Sequence, residues 1–194
     1  MIRANFTATL HNVHRGQIVV ADNNVHPVLG LDEDGWLCTT AARRSVPRSA
    51  NEFQRLAFHF EFIEHREDRT HYYITCAEHW AYIGARLESS SNGWLGLYGT
   101  HVAGRVRDVL NAPHPYNLLR TRPYWKIETL QPWDGTVESA GLVPFYLRDM
   151  NGYRVAESLS DNVPVLDLGR QYYLNAGERT GDVLEFFLRD IQLT

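Results

Sequence analysis

Lysine is almost missing from this chain: of 19 basic residues only Lys126 is lysine, so the positive charge is nearly all guanidinium, the group suited to bidentate and stacked contacts. Cysteine is scarce as well. With only Cys38 and Cys76 there is no disulfide framework and no CxxC metal pair, and two buried thiols are the expectation. No run of roughly eighteen apolar residues occurs, so no membrane insertion is expected. The opening MIRANFTATLHNVHRG lacks the apolar stretch of a signal peptide, so the expected location is the cytoplasm, or the exterior by a route that leaves no such mark. Neither a basic stripe nor a basic tail offsets the net charge of −4, which argues against nucleic acid as a partner.

Catalytic motifs are also lacking. Ser45 and Ser49 lie in the polar stretch AARRSVPRSANE, outside any Gly-x-Ser-x-Gly elbow. There is no glycine-rich phosphate cradle ahead of a helix, no HExxH and no EF-hand loop. The acids Asp32, Glu33 and Asp34 read as a solvated turn. Among 9 histidines, His11 and His14 in HNVHRG have a tempting spacing, but they fall in an expected hairpin loop without a Cys or carboxylate partner. His59 reads as a wall residue on the polar side of a Phe-rich strand. The expectation is a non-enzymatic protein with no cofactor and no metal.

What the chain does have is bulk and a period of two. Its 194 residues, 44% hydrophobic and 12% aromatic, suffice for one domain that buries roughly 70% of its unfolded surface. In Phe58-His59-Phe60-Glu61-Phe62 the rings alternate with polar side chains, the pattern of a half-buried strand. Turn clusters break these runs at Asn23-Asn24, Asp32 to Gly35, Ser89 to Gly93, Asn151-Gly152, Asp161-Asn162 and Gly169-Arg170. Only VAGRVRDVLN (Val102 to Asn111) looks helical, and Pro113 and Pro115 limit it to a short helix in a loop. The class is all-β.

Internal repetition sharpens this reading. NNVHPVLGL (Asn23 to Leu31) returns as DNVPVLDL (Asp161 to Leu168), each followed by a turn and an aromatic-Leu pair, Trp36-Leu37 and Tyr173-Leu174. Similar openings recur at Phe6 to Asn12, Tyr72 to Glu78 and Val143 to Met150. Second strands are expected at Gln17 to Ala21, Ala81 to Leu87 and Tyr153 to Leu159, and third strands at Gly35 to Thr39, Gly93 to Gly99 and Gln171 to Gly177. Each unit closes on a strand rich in large apolar residues, at Ala57 to Ile63, Tyr124 to Leu130 and Leu184 to Ile191. Such a threefold plan resembles the β-trefoil superfamily, which includes ricin-B-type lectins, fascin-like domains and Kunitz-type inhibitors. The resemblance implies one domain of three four-stranded lobes, at about 1–66, 67–137 and 138–194. An irregular sandwich or jelly roll is the competing all-β arrangement. The Gln-x-Trp signature of ricin-B-type lectins is absent, which moves the resemblance towards fascin-like or divergent lectin branches and carries over no known sugar-site residue.

Aromatics beside short polar side chains suggest a ligand. A pyranose packs its C–H face on a ring and takes hydrogen bonds from Asp or Asn at its rim. Candidate sugar-binding residues are Asp22, Asn23 and Trp36 in the first lobe, Asn92 and Trp94 in the second, and Asp161, Asn162 and Tyr172 or Tyr173 in the third; the same rings would equally serve as packing. The expected partner is a glycan or glycoprotein. A second reading is a protein partner, as for a protease inhibitor or targeting module. It would act through the long stretch Thr100 to Arg122, where Arg105, Arg107, His114, Tyr116, Arg120 and Arg122 combine guanidinium with aromatic groups.

Overall fold

The computed structural model describes residues 2–21, 35–42, 56–78, 82–90, 92–98, 122–159, 172–177 and 179–194. Among these the chain is all-β. Ten strands form one sheet: β1 (Phe6–Asn12), β2 (Gly16–Val20), β3 (Leu37–Thr39), β4 (Ala57–Arg66), β5 (Arg69–Glu78), β6 (Arg86–Ser89), β7 (Leu95–Tyr98), β8 (Trp125–Thr129), β9 (Phe145–Arg148) and β13 (Phe187–Leu193). A second sheet joins β10 (Ala156–Leu159), β11 (Tyr172–Asn175) and the two-residue β12 (Asp182–Val183).

Six of these strands make a nearly closed, barrel-like wall. β1 pairs with β4, β4 with β5, β5 with β8 and β8 with β9, all antiparallel, while β13 pairs with the free side of β1. The last gap, between β9 and β13, is spanned by the reciprocal hydrogen bonds of Phe145 and Phe186, at 3.0 and 2.9 Å. Between successive pairs of wall strands the chain leaves the barrel for a hairpin: β2–β3, β6–β7 and β10–β11.

The period of two explains the interior. Phe58 and Phe60 are fully buried while the neighbouring His59 and Glu61 are half-buried, and Phe6, Tyr72, Trp125, Phe145 and Phe186 are among the other large residues of the core. Phe6 and Phe60 stack at 4.6 Å, and Tyr72 meets both edge-on, the geometry that ring quadrupoles favour. Two polar tips find acceptors. Tyr72 Oη donates to the Ile2 carbonyl, and burial drives its phenol pKa well above the ordinary value. Trp125 Nε1 donates to Leu87 O at 2.8 Å, which ties the wall to the β6–β7 hairpin.

Neither Cys38 nor Cys76 is in a disulfide, both are buried, and burial pushes the Cys76 thiol up to about 11. Several expectations need correction. The strand expected at Ala81 to Leu87 starts at Arg86, because Tyr82 to Ala85 form a turn with Gly84 at φ +79°. His11 lies within β1, with Nε2 3.1 Å from Thr9 Oγ1, not in the hairpin loop. The helix expected at Val102 to Asn111 falls outside the described residues. The one helix seen among the described residues is a single turn, α1 (Val137–Ala140), capped by Thr136, whose Oγ1 accepts from Ser139 N.

The outer wall has its own fastening. Glu128 on β8 accepts from Arg148 Nε on β9 and lies 3.3 Å from Arg69 Nε on β5 and 3.6 Å from Arg154 Nη2. The hydrogen bond from Arg148 is the main cause holding the Glu128 pKa below its ordinary value, against the opposing effect of burial. A carboxyl depressed in the folded state contributes stability above its unfolded pKa of about 4.3 and loses it as pH falls through the folded value. Urea-unfolding free energy measured from pH 6 down to pH 2 should therefore fall less steeply for Glu128→Gln than for the wild type. In the core, Phe60→Ala should lower unfolding free energy by about 3–5 kcal/mol, measured the same way at neutral pH.

Candidate functional site

The three hairpins converge at one place. Trp36, just ahead of β3, Trp94, just ahead of β7, and Tyr173 on β11 form a closed triad: Trp36 and Trp94 lie stacked at 6.0 Å, and Tyr173 sits edge-on to Trp36 at 5.2 Å and to Trp94 at 6.0 Å. Single bridges run from one hairpin to the next, Trp36 to Gly96 and Trp94 to Asn175. Gly35 makes the approach possible. Its φ is +48°, and a Cβ there would lie 2.7 Å from Tyr82 Cε1 and 3.0 Å from Leu97 O.

This packing decides what each ring can offer a ligand. Trp94 is 3% exposed and Tyr173 7%, so neither offers an open face, whereas Trp36 is half-buried. Arg179 lies 4.5 Å over the Trp94 ring and donates from Nε to Asn92 O at 3.2 Å. The third ring of the triad is Tyr173; Tyr172, its neighbour on the strand, points to the other side and is 40% exposed. Asn92 is exposed. Asp22, Asn23, Asp161 and Asn162 lie outside the described residues, as do Arg105, Arg107, His114, Tyr116 and Arg120. Arg122, at the end of that long stretch, is anchored to the wall by Glu61 Oε2 at 2.9 Å and by stacking 3.9 Å over Tyr73.

Beside the triad lies a buried polar clasp that local sequence spacing did not single out. Glu157 on β10 accepts from Thr39 Oγ1 at 2.6 Å and faces Arg15 Nη1 at 2.9 Å, with its side chain 1% exposed. Arg15 also reaches Asp182 Oδ2 at 2.8 Å. Asn12 Oδ1 sets the turn that presents Arg15 by accepting from the backbone N–H of His14 and Arg15, each at 2.9 Å. Asn175 Nδ2 donates to Ser158 Oγ at 2.6 Å, within the same hairpin. These residues come from distant parts of the chain, so the only sequence signal was an acid placed in an apolar strand, Val155-Ala156-Glu157.

Among the described residues no group of three or more His, Cys, Asp or Glu could hold a metal ion. His71, the most buried histidine among them, has its pKa lowered chiefly by burial, with Glu64 Oε1 at 3.2 Å opposing the shift. No helix among the described residues is long and apolar enough to cross a membrane. No protein-family model, curated protein or solved structure matches this chain.

The clasp yields a stability prediction. Arg15→Met should cost about 1–3 kcal/mol by leaving the Glu157 carboxylate buried without its cation, and adding Glu157→Gln should restore part of the loss. A thermodynamic cycle from urea unfolding of both single variants and the double variant measures the coupling.

Proposed function

We propose that this chain is a non-enzymatic β-trefoil that binds carbohydrate. The observation that carries the reading is the meeting of Trp36, Trp94 and Tyr173, one ring from each of three hairpins, above a six-stranded wall. In this reading the lobes are about 1–66, 67–137 and 138–194, and the recurring phrases at Asn23 to Leu31 and Asp161 to Leu168 are equivalent hairpin segments. Three lobes around an axis cover apolar faces that one lobe of four strands would leave open.

The burial of Trp94 and Tyr173 assigns the triad the work of holding the hairpins together. In this reading sugar contact falls to the accessible part of Trp36 and to exposed Tyr172 and Asn92, with Asp22, Asn23, Asp161 and Asn162, outside the described residues, as the further candidates. A ring supplies the apolar platform, and carboxylate or amide oxygens accept from sugar hydroxyls. Several weak sites of this kind gain by avidity on a multivalent glycan or glycoprotein.

A glycan array followed by calorimetry with the best-bound sugar tests the proposal. Binding should occur, and Tyr172→Ala should weaken it by about tenfold while leaving the melting temperature near that of the wild type; Trp36→Ala should weaken it as well and also lower the melting temperature, because Trp36 packs against Trp94 and Tyr173. A silent array, together with capture of a protein partner that is lost when residues 100–122 are deleted, would replace this reading with the protein-binding one carried by Arg105, Arg107, His114, Tyr116 and Arg120.

A further inference from the structure

Across β5, β8 and β9 the outer wall carries two rows in register. Arg69, Glu128 and Tyr146 form one, and His71, Lys126 and Arg148 the next. Arg154 joins them by a bridge to Arg148. Glu128 is thus approached by three guanidinium groups, from Arg148, Arg69 and Arg154. Asp68 adds a carboxylate 3.7 Å from Arg69, and Lys126 adds a cation whose Nζ donates to Met150 O at 2.6 Å. Around Glu128 the cations Arg69, Arg148, Arg154 and Lys126 thus face the carboxylates of Glu128 and Asp68, while Glu64 lies farther out, 3.2 Å from His71, and Glu185 at 3.5 Å from Tyr146 Oη.

Fastening strands together does not call for this excess. One carboxylate is satisfied by one bidentate guanidinium, and further cations around it repel one another. The donors are also incompletely used. Arg148 is engaged by Glu128 and by Gly152 O at 2.7 Å, but Arg154 Nη2, at 3.6 Å, lies beyond hydrogen-bond reach of Glu128. Arg69 Nε is buried yet makes no hydrogen bond among the described residues. The Arg69 and Arg154 side chains remain 37% and 40% exposed, and the Arg154 guanidinium carbon lies 4.1 Å over the Tyr146 ring. Stacking fixes a guanidinium while leaving its edge donors available.

We propose that this patch binds a single oxyanion, a sulfate, phosphate or carboxylate group, between Arg69 and Arg154, with Arg148 and Lys126 adding to the attractive field. The ligand is either an acidic sugar or a free inorganic anion. A nucleic acid fits less well, because the cations surround one carboxylate instead of extending into a stripe. The site is separate from the hairpin triad and does not rest on the neutral-sugar contacts assigned to its rim.

Calorimetry on the full chain at low ionic strength tests it, with inorganic sulfate, inorganic phosphate, glucuronate, a sulfated disaccharide and a single-stranded oligonucleotide as probes. At least one small anion should bind saturably at one site. Arg69→Gln and Arg154→Gln should each weaken that binding by about tenfold, and Glu128→Gln, which removes the competing carboxylate, should tighten it several-fold. Tighter binding of the sulfated disaccharide or glucuronate than of the inorganic ions assigns an acidic sugar, and equal or weaker binding assigns the free anion. The proposal is overturned if no small anion binds the wild type, if only the oligonucleotide binds, or if Glu128→Gln melts earlier without any gain in anion affinity. Melting curves establish that each variant is folded. Should Arg69→Gln unfold, Arg154→Gln, at the more exposed position, carries the comparison.

Discussion

A β-sheet edge exposes unpaired N–H and C=O groups, and a short wall of strands cannot be stable in water until its edges are paired or covered. In this chain the pairing is made by its two ends. β1 is flanked by β4 on one side and by β13 on the other, with Phe6 opposite both Phe60 and Leu193. The aromatic core lines the inside of that wall: Phe6, Phe60 and Tyr72 come from three adjacent strands, and Phe145 and Phe186 meet across the last gap. Closing contacts of such sequence separation cost loop entropy before they return burial, so the wall should form late and cooperatively.

Once the wall is closed, the hairpins have a platform. Trp125 hands its N–H to the β6–β7 hairpin, and Val155 N, bonded to Leu147 O at 2.8 Å, does the same for the segment leading into β10. The hairpins then settle against one another through Trp36, Trp94 and Tyr173, and the clasp of Arg15, Thr39 and Glu157 fixes their relative position. A buried carboxylate is costly unless paired, so this clasp discriminates between correct and slipped hairpin arrangements more than it adds net stability. Outside that packing, Tyr172 and Asn92 stay exposed and the Arg69 and Arg154 side chains remain partly accessible on the outer wall.

The sequence made the wall legible because its large apolar side chains, such as Phe58 and Phe60, alternate with less buried polar ones. Phe6 to Asn12 coincides with β1, and Trp125 and the Phe58/Phe60 pair lie in wall strands as their pattern indicated. Tyr82 to Ala85 misled because an apolar tyrosine and an isoleucine there resemble a strand, yet Gly84 takes a left-handed turn and only Tyr82 and Ala85 pack inwards. The choice between Tyr172 and Tyr173 could not be made from composition. A one-residue change of register reverses which ring faces in. Least legible were the charge clusters, because Arg15 meets Glu157, and Arg69 meets Glu128, only through cross-strand proximity that no local spacing encodes.

Closure of the wall by the two ends of the chain is the claim on which the rest stands, and NMR addresses it directly. Cross-strand nuclear Overhauser contacts should link Leu10 with Leu188 and Phe145 with Phe186, and the amides of β1 that face β13 should rank among the slowest to exchange. Fast exchange along β1 and β13, with no contacts between Leu10 and Leu188, would mean an open edge and would contradict the account.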